Sequence, residues 1–306
     1  MDDAAPAFRR LTFDLPAGRM AAIAMGDPAV APDLLFLHAT GLNALTYRHM
    51  LAPLGARHHV VAVDLRGHGL TTLPARRWGY RSWNRHRDDV IEVLSRHFQG
   101  PVTLAGHSMG ATTSLLIAGA RPDLTRGVCM IEPVIRPPLL GGASASDLKA
   151  LRGSSIVRGA RKRRAVFPSK GEAVAALTGR GFFKTFPPEA LADYVEDGFA
   201  ETAHGDVTLT CTPAYEAATF MAQAHDPWAP LANAPGPLVV LRAEIGSTTS
   251  DAAAERMRAM RPDLRMARVE GATHALPVER PDRARAAIEM TLMLAQGQAR
   301  FHDLEE

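Results

Sequence analysis

The segment Pro101–Gly110 restricts the fold of this chain more than any other stretch. It begins with a short apolar run, Val102–Ala105, bounded by turn residues, which predicts a strand buried on both faces. The small and apolar residues of Ala111–Ala120 predict a helix that packs closely on that strand. Between them, Gly106–Gly110 has the Gly-x-Ser-x-Gly spacing of a sharp strand-to-helix turn, which strains the serine backbone and exposes its hydroxyl. Ser108 is therefore a candidate nucleophile, and a tight turn with an incidental serine is the alternative.

Composition indicates an ordinary globular protein. The 306 residues are enough for one large domain or two small ones, with 46% hydrophobic and 22% charged residues. A net charge of +3 is too small an excess of basic residues to predict a nucleic-acid partner. The chain has two cysteines, Cys129 and Cys211, and hence no disulfide framework. Cys129 lies in an apolar run, which predicts a buried free thiol.

Targeting and cofactor motifs are missing from the sequence. The N-terminal residues do not resemble a signal peptide, and no apolar window is long enough to span a membrane. We therefore expect a cytoplasmic protein with no membrane partner. No His-Glu-x-x-His, Cys-x-x-Cys or phosphate-binding glycine-rich motif occurs, so we expect no metal and no other cofactor. The sequence carries no signal of oligomeric state.

Strand and helix patterns alternate along most of the chain. Arg9–Leu15 and Arg19–Met25 are alternating segments joined by a turn, which predicts a hairpin. Strands and helices then alternate up to residue 133 and again from Pro237, which predicts a mainly parallel sheet after an antiparallel start. Residues 43–54 predict a modest helix within this pattern. The segment 134–235 contains helical patches, prolines and aromatic residues, and no clear strand.

Four motifs follow predicted strands, and they carry a family resemblance. They are His38–Gly41, Asp64–Gly69, Gly106–Gly110 and Gly271–His274. In these motifs and their order the chain resembles the α/β-hydrolase superfamily over essentially its whole length. The resemblance implies an α/β fold with a mostly parallel eight-stranded sheet and helices on both faces. Ligands of such sheets bind beyond the carboxyl ends of the strands, where all four motifs fall.

The resemblance also implies a division into two domains. Residues 1–133 and 236–306 correspond to the α/β-hydrolase core domain. Residues 134–235 correspond to a helical cap, or lid, inserted between the sixth and seventh strands of the sheet.

Two further groups are expected to assist Ser108. A serine hydroxyl needs a base to take its proton, and His274 follows the last strand, where the chain order serine, acid, histidine locates that base. The resemblance implies that the backbone N–H groups of Thr40 and Met109 form the oxyanion hole. The hydroxyl of Thr40 either faces the oxyanion as well or fixes its own loop.

The acid that orients His274 has two main candidates. In the commonest family pattern it is an aspartate after the seventh strand, where this chain has Gly246. Glu132 ends the sixth strand, and its surroundings resemble a segment of certain haloalkane dehalogenases whose acid is that glutamate. We therefore predict Glu132 as the acid, with Glu244 as the first alternative and Asp251, or no acid at all, as the last.

Each carboxylate also has a purely structural interpretation. Glu132 would then be a strand-end carboxylate paired with Arg136. Glu244 would form an ion pair with Arg242.

These residues favour acyl chemistry. Dehalogenases and epoxide hydrolases use an aspartate nucleophile, whereas Ser108 would form an acyl enzyme. We therefore predict a carboxylesterase-like hydrolase of a small, hydrophobic ester. The alternatives are a C–C bond hydrolase, a lactonase or a perhydrolase with the same triad, or a non-catalytic ligand-binding member of the fold.

Half of the aromatic residues lie in the inserted segment, where they predict either an apolar pocket over Ser108 or the core of the cap itself. They are Phe167, Phe182, Phe183, Phe186, Tyr194, Phe199, Tyr215, Phe220 and Trp228.

Overall fold

A twisted sheet forms the centre of the computed structural model, which describes residues 7–136 and 145–302. The strands in chain order are β1 (Arg9–Leu15), β2 (Gly18–Met25), β3 (Leu34–Leu37), β4 (Val60–Val63), β5 (Val102–His107), β6 (Thr125–Ile131), β7 (Val166–Phe167), β8 (Phe199–Glu201), β9 (Val207–Leu209), β10 (Leu238–Ala243) and β11 (Arg265–Val269). Eight of them form the main sheet, in the order β1-β2-β4-β3-β5-β6-β10-β11. The predicted eight-stranded fold is confirmed.

The sheet begins antiparallel and continues parallel. Strand β1 pairs with β2 as a hairpin, and β2 pairs antiparallel with β4. The pairs from β4 through β3, β5, β6 and β10 to β11 are all parallel. The predicted antiparallel start is therefore confirmed, and the carboxyl ends of the parallel strands lie at one edge of the sheet.

Helices connect these strands and cover the sheet. The α-helices are α1 (Arg48–Leu51), α2 (Asn84–His97), α3 (Met109–Ala120), α4 (Ala145–Arg152), α5 (Ser155–Lys162), α6 (Lys170–Leu177), α7 (Pro188–Gly198), α8 (Pro213–Met221), α9 (Trp228–Asn233), α10 (Asp251–Met260), α11 (Leu276–Glu279) and α12 (Pro281–His302). Short 3₁₀ helices occupy Leu45–Tyr47, Ala52–Ala56, Pro122–Leu124 and Gly181–Thr185. Across the described ranges, no helix combines the length and the apolar character needed to cross a membrane.

Alternating side chains of the strands fill two apolar layers. Leu34 and Phe36 of β3 belong to the layer that includes side chains of α12. Leu35 and Leu37 belong to the opposite layer, with side chains of α2 and α3. All four are fully buried, as period-two side chains of a strand covered on both faces should be.

The modest helix predicted over residues 43–54 is broken into three short pieces. A 3₁₀ turn at Leu45–Tyr47 leads into the single turn of α1, and a second 3₁₀ turn covers Ala52–Ala56. Pro53 has no N–H to continue the helical hydrogen-bond ladder, so a regular helix cannot continue through it.

The inserted segment contains a small sheet that its sequence did not predict. Strands β7, β9 and β8 form an antiparallel sheet in that order. The expectation of a segment without strands is therefore wrong. These strands are two or three residues long, too short for an alternating pattern to be recognised. Part of the predicted cap, residues 137–144, lies outside the described residues.

Polar contacts hold α7 of the inserted segment against the first part of the chain. Arg10 donates two hydrogen bonds to Asp197, at 2.8 and 2.9 Å. Arg48 donates two to Asp193, at 2.6 and 2.8 Å. Bidentate pairs of this kind fix geometry as well as charge, so the second half of α7 is anchored.

Candidate active site

Ser108 lies in a sharp turn between β5 and α3. Its φ is 55° and its ψ −116°, a conformation that costs free energy for a residue with a side chain. A Cβ on Gly110 would lie 2.1 Å from the carbonyl oxygen of Leu37, and one on Gly106 would lie 2.5 Å from the carbonyl carbon of Gly110. The two glycines are therefore needed for the close approach of α3 to the sheet. The turn has the geometry that the Gly-x-Ser-x-Gly spacing predicts.

A chain of hydrogen bonds joins Ser108 to His274 and Glu132. Nε2 of His274 lies 3.0 Å from the Ser108 Oγ, and Nδ1 lies 3.0 Å from Oε2 of Glu132. Ser108 follows β5, Glu132 follows β6 and His274 lies in the loop after β11. Because a carboxylate accepts the Nδ1–H, Nε2 is left free to accept from the serine hydroxyl. The structure thus brings together the three side chains predicted as nucleophile, base and acid.

Glu132 is fully buried and receives four hydrogen bonds. The Ala243 N–H and the Ser247 hydroxyl both donate to Oε1 at 2.6 Å. The Thr248 N–H donates to Oε2 at 3.1 Å, beside the donor from His274. Burial raises the pKa of Glu132, but the hydrogen bonds from His274, Ser247 and Ala243 outweigh it and bring the pKa to about 2. The carboxylate is therefore ionised at neutral pH.

The loop after β10 donates hydrogen bonds to Glu132. Gly246 occupies the commonest acid position and has a φ of 65°. The Thr248 hydroxyl donates to the backbone oxygen of Glu132 at 2.8 Å, and the Thr249 hydroxyl donates to that of Pro133 at 2.6 Å. Sequence reasoning missed these contacts. The consecutive hydroxyl residues next to the missing acid were the signal that could have indicated them.

The alternative acids have other partners. Glu244 accepts from Arg268 at 3.3 Å and from the Gly271 N–H at 2.9 Å. Arg242 instead donates to Asp251 at 2.8 Å. The Glu244–Arg242 ion pair, considered above as the structural alternative for Glu244, is not formed, because Arg242 turns back toward the start of α10. Arg136, the partner considered for Glu132, is exposed and forms no ion pair within the described part of the chain.

Thr40 and Met109 are neighbours beside Ser108. The Thr40 hydroxyl donates to the sulfur of Met109 at 3.3 Å, so it fixes the loop after β3. Within residues 7–136 and 145–302 the backbone N–H groups of Thr40 and Met109 form no hydrogen bond with protein atoms. Met109 also begins the 12-residue helix α3, whose dipole favours negative charge at that end. The residue after Ser108 and the residue in contact with it thus each have a backbone N–H without a protein partner in the described part of the chain.

Most aromatic residues of the inserted segment pack on one another. Phe183 lies 4.7 Å from Tyr194 and 5.1 Å from Phe186, between ring centroids, and all three are buried. Phe182 differs, because 41% of it is exposed and its ring lies 6.3 Å from that of His274. The aromatic cluster is therefore mainly a core of the segment, with Phe182 directed toward the site. Nowhere in the described ranges do three or more His, Cys, Asp or Glu side chains form a group suited to a metal ion.

Comparison with known proteins identifies the family of this chain. A sequence model of the alpha/beta hydrolase family matches residues 34–287, most of the chain. The chain belongs to the α/β-hydrolase family. A relative from Mesorhizobium japonicum, 2-(acetamidomethylene)succinate hydrolase, is 29% identical over 79% of this chain and 81% of its own length.

Solved structures resemble this α/β-hydrolase over almost all of its length. The structure of E-2-(acetamidomethylene)succinate hydrolase matches with a TM-score of 0.77 and 26% identity, covering 94% of this chain and 99% of its own. A thioesterase domain from the curacin pathway matches with a TM-score of 0.74, at 18% identity, over 92% of this chain and 99% of its own, which shows the fold alone.

A second sequence relative matches a smaller part of the chain. A haloalkane dehalogenase of Agrobacterium fabrum is 27% identical over 60% of this chain and 58% of its own length.

Replacing Ser247 with alanine removes one donor from Glu132. A hydrogen bond to a charged group contributes about 1.5–3 kcal/mol, and we expect the free energy of unfolding at neutral pH to fall by that amount. The folded pKa of Glu132 is about 2, below its ordinary value of 4.5. Its ionised form therefore stabilises the fold above that ordinary value, and this stabilisation is lost as the pH falls toward 2. In urea unfolding, the difference in free energy of unfolding between wild type and Ser247→Ala should be complete near neutral pH and should shrink below about pH 4.

Ser154→Ala is the control for this experiment. Ser154 caps α5 by accepting from the Val157 N–H and donating to the Leu151 carbonyl, so no carboxylate is involved. Loss of such a cap costs about 1 kcal/mol, and the cost should not change over the same pH range. If the stability lost in Ser247→Ala is as independent of pH as that lost in Ser154→Ala, the role assigned to Ser247 is contradicted.

Proposed function

We propose that this α/β-hydrolase cleaves carboxylic esters through an acyl enzyme. Ser108 acts as the nucleophile, His274 as the general base and Glu132 as the acid that orients and stabilises the imidazolium. The observation that carries the proposal is the unbroken hydrogen-bond chain, with 3.0 Å from Ser108 Oγ to His274 Nε2 and 3.0 Å from Nδ1 to Glu132.

Acylation begins when the Ser108 hydroxyl attacks the ester carbonyl and His274 Nε2 takes its proton. The negative carbonyl oxygen of the tetrahedral intermediate is bound by the N–H groups of Thr40 and Met109. When the intermediate collapses, His274 gives the proton to the leaving alkoxide, and the acyl group stays on Ser108. Glu132 remains ionised throughout and offsets the positive charge on His274.

Deacylation repeats these steps with water. His274 takes a proton from the water as its oxygen attacks the acyl carbonyl, and the same two N–H groups bind the second oxyanion. Collapse of this intermediate returns the proton to the Ser108 oxygen and releases the carboxylic acid. No other reactant is needed for the cycle.

We also propose that residues 134–235 act as the cap of a core formed by residues 1–133 and 236–306. Phe182 of that segment lies beside His274 and is partly exposed, which supports an apolar wall at the mouth of the site. Such a wall favours a small substrate with an apolar acyl or alcohol group.

Hydrolysis of an amide in a small dicarboxylic acid is a second candidate. It is supported by the likeness to 2-(acetamidomethylene)succinate hydrolase, whose named substrate carries an acetamido group and two carboxylates. The same acyl steps apply to an amide, with nitrogen as the leaving group. Cleavage of a C–C bond, a lactone or a peroxide-dependent substrate by the same residues remains a further alternative.

A fluorophosphonate separates a serine hydrolase from a non-catalytic ligand-binding protein. We expect one adduct, mapped to Ser108 by mass spectrometry, because only an activated serine attacks this phosphorus centre rapidly. Ser108→Ala should take up no label, and Ser154→Ala should be labelled at the wild-type rate. Wild-type protein that stays unlabelled at Ser108 would overturn the proposed function.

Substitution of the two glutamates tests which one is the acid. With an activated ester, Glu132→Gln should lower kcat by about 100- to 10,000-fold, since it removes the charge that orients His274. Glu244→Gln is the matched control, and a change of no more than about twofold is expected for an exposed residue outside the hydrogen-bond chain. Equal, mild losses in both variants would contradict the assignment of Glu132.

A substrate series distinguishes the two candidate functions. With p-nitrophenyl esters, kcat/KM should rise about threefold to fourfold for each added CH₂ that the apolar wall covers. Phe182→Ala should weaken this dependence, whereas Met293→Ala, which changes an exposed side chain of α12, should not. If 2-(acetamidomethylene)succinate is hydrolysed with a higher kcat/KM than any ester, the second candidate replaces the first.

A further inference from the structure

Three hydrogen bonds connect the loop after β3 with the loop that carries His274. The Ala39 N–H donates to the Tyr47 oxygen at 3.2 Å, and the Tyr47 hydroxyl lies 2.8 Å from Nδ1 of His107. Nε2 of His107 lies 2.8 Å from the backbone oxygen of His274. The path therefore runs from the residue before Thr40 to the backbone of the proposed base.

The donors and acceptors along this path can be arranged in one way only. A carbonyl oxygen can only accept, so His107 Nε2 carries the hydrogen that the His274 carbonyl receives. Nδ1 of the neutral ring is then an acceptor, and the Tyr47 hydroxyl must donate to it. The Tyr47 oxygen keeps a lone pair for the Ala39 N–H. Each group thus has the partner that its chemistry requires.

Burial keeps this arrangement in one state. Tyr47 is 0% exposed and His107 is 1% exposed. Burial lowers the pKa of His107 to about 3, so its ring is neutral at neutral pH, and burial raises the pKa of Tyr47. Buried hydrogen bonds of this kind are costly to break, because no water replaces the lost partner.

The sheet alone does not fix the spacing of the two loops. Strands β3 and β11 are separated by β5, β6 and β10, so four strand-to-strand spacings, about 19 Å, lie between them. To reach Ser108 at the end of β5, the His274 loop crosses back over three of these spacings, about 14 Å. The contacts through Tyr47 and His107 hold it there, relative to the loop of Ala39 and Thr40.

We propose that Tyr47 and His107 are positioning residues that set the distance between the oxyanion hole and the general base. This inference rests on the proposed function, since it assumes that the Thr40 N–H binds the oxyanion and that His274 moves the proton. Because both side chains are buried, the proposal gives neither Tyr47 nor His107 a direct contact with the substrate. Both act through the backbone of residues that do.

Tyr47→Phe removes the hydroxyl and keeps the ring, which packs against Phe36 at 4.8 Å between centroids. We expect kcat for an activated ester to fall about 10- to 100-fold with KM within about twofold, because a shift of the reacting groups affects the transition state more than substrate binding. The rate of labelling of Ser108 by a fluorophosphonate should fall in parallel.

Tyr80→Phe is the matched control. The Tyr80 hydroxyl is also buried and has no hydrogen-bond partner within the described part of the chain. Its removal should leave kcat, KM and the labelling rate unchanged. Thermal unfolding of both variants confirms that each is folded at the assay temperature.

A double-mutant cycle with His107→Gln tests whether the two residues act as one unit. If they do, the double variant should be no more than about threefold slower than the slower single variant, whereas independent effects would multiply.

The ¹⁵N spectrum of the wild-type His107 ring should show the hydrogen on Nε2.

The outcomes separate the positioning role from the proposed function. Suppose that Ser108 of the wild-type protein is labelled and that folded Tyr47→Phe has an unchanged kcat. The positioning role is then overturned, and the proposed function stands. The positioning role is also overturned if the losses of kcat in the two single variants multiply in the double variant. A ¹⁵N spectrum that shows the hydrogen of His107 on Nδ1 overturns it as well. Absence of wild-type labelling overturns the function itself, and the positioning role with it.

Discussion

A carboxylate without exposed surface is stable only where hydrogen bonds replace the water it has lost. Glu132 meets this condition with four donors, which come from β10, from the following loop and from His274. These bonds join the ends of β6, β10 and β11 at the point where Ser108 faces His274. The shape of the site therefore depends on keeping one buried negative charge satisfied.

The sheet makes this arrangement possible because its parallel strands end at a common edge. Ser108, Glu132 and His274 lie far apart in the sequence and follow β5, β6 and β11. Two apolar layers cover the faces of the sheet, so the polar groups at its edge are held by a rigid support. The anchored helix α7 and the aromatic cluster of the inserted segment add to this support on one side.

Long regular patterns could be predicted, and short or interrupted ones could not. The hairpin of β1 and β2 and the turn at Ser108 agree with expectation, because each has a local signal in residue spacing. The strands β7, β8 and β9 were missed, since two or three residues carry no visible period. The helix expected over residues 43–54 is interrupted at Tyr47 and again before Pro53, whose missing N–H explains the second interruption.

The sequence by itself determined the fold class and the local geometry at Ser108, because strand periodicity and glycine spacing act over a few residues. Only the tertiary structure decided which carboxylate lies beside His274, and that Ser247 and Thr248 hold it. It also decided that Tyr47 and His107 connect two distant loops. The physical reason is that a hydrogen bond depends on distances of about 3 Å and on burial. Such distances between residues remote in sequence exist only after the sheet has brought its strand ends together.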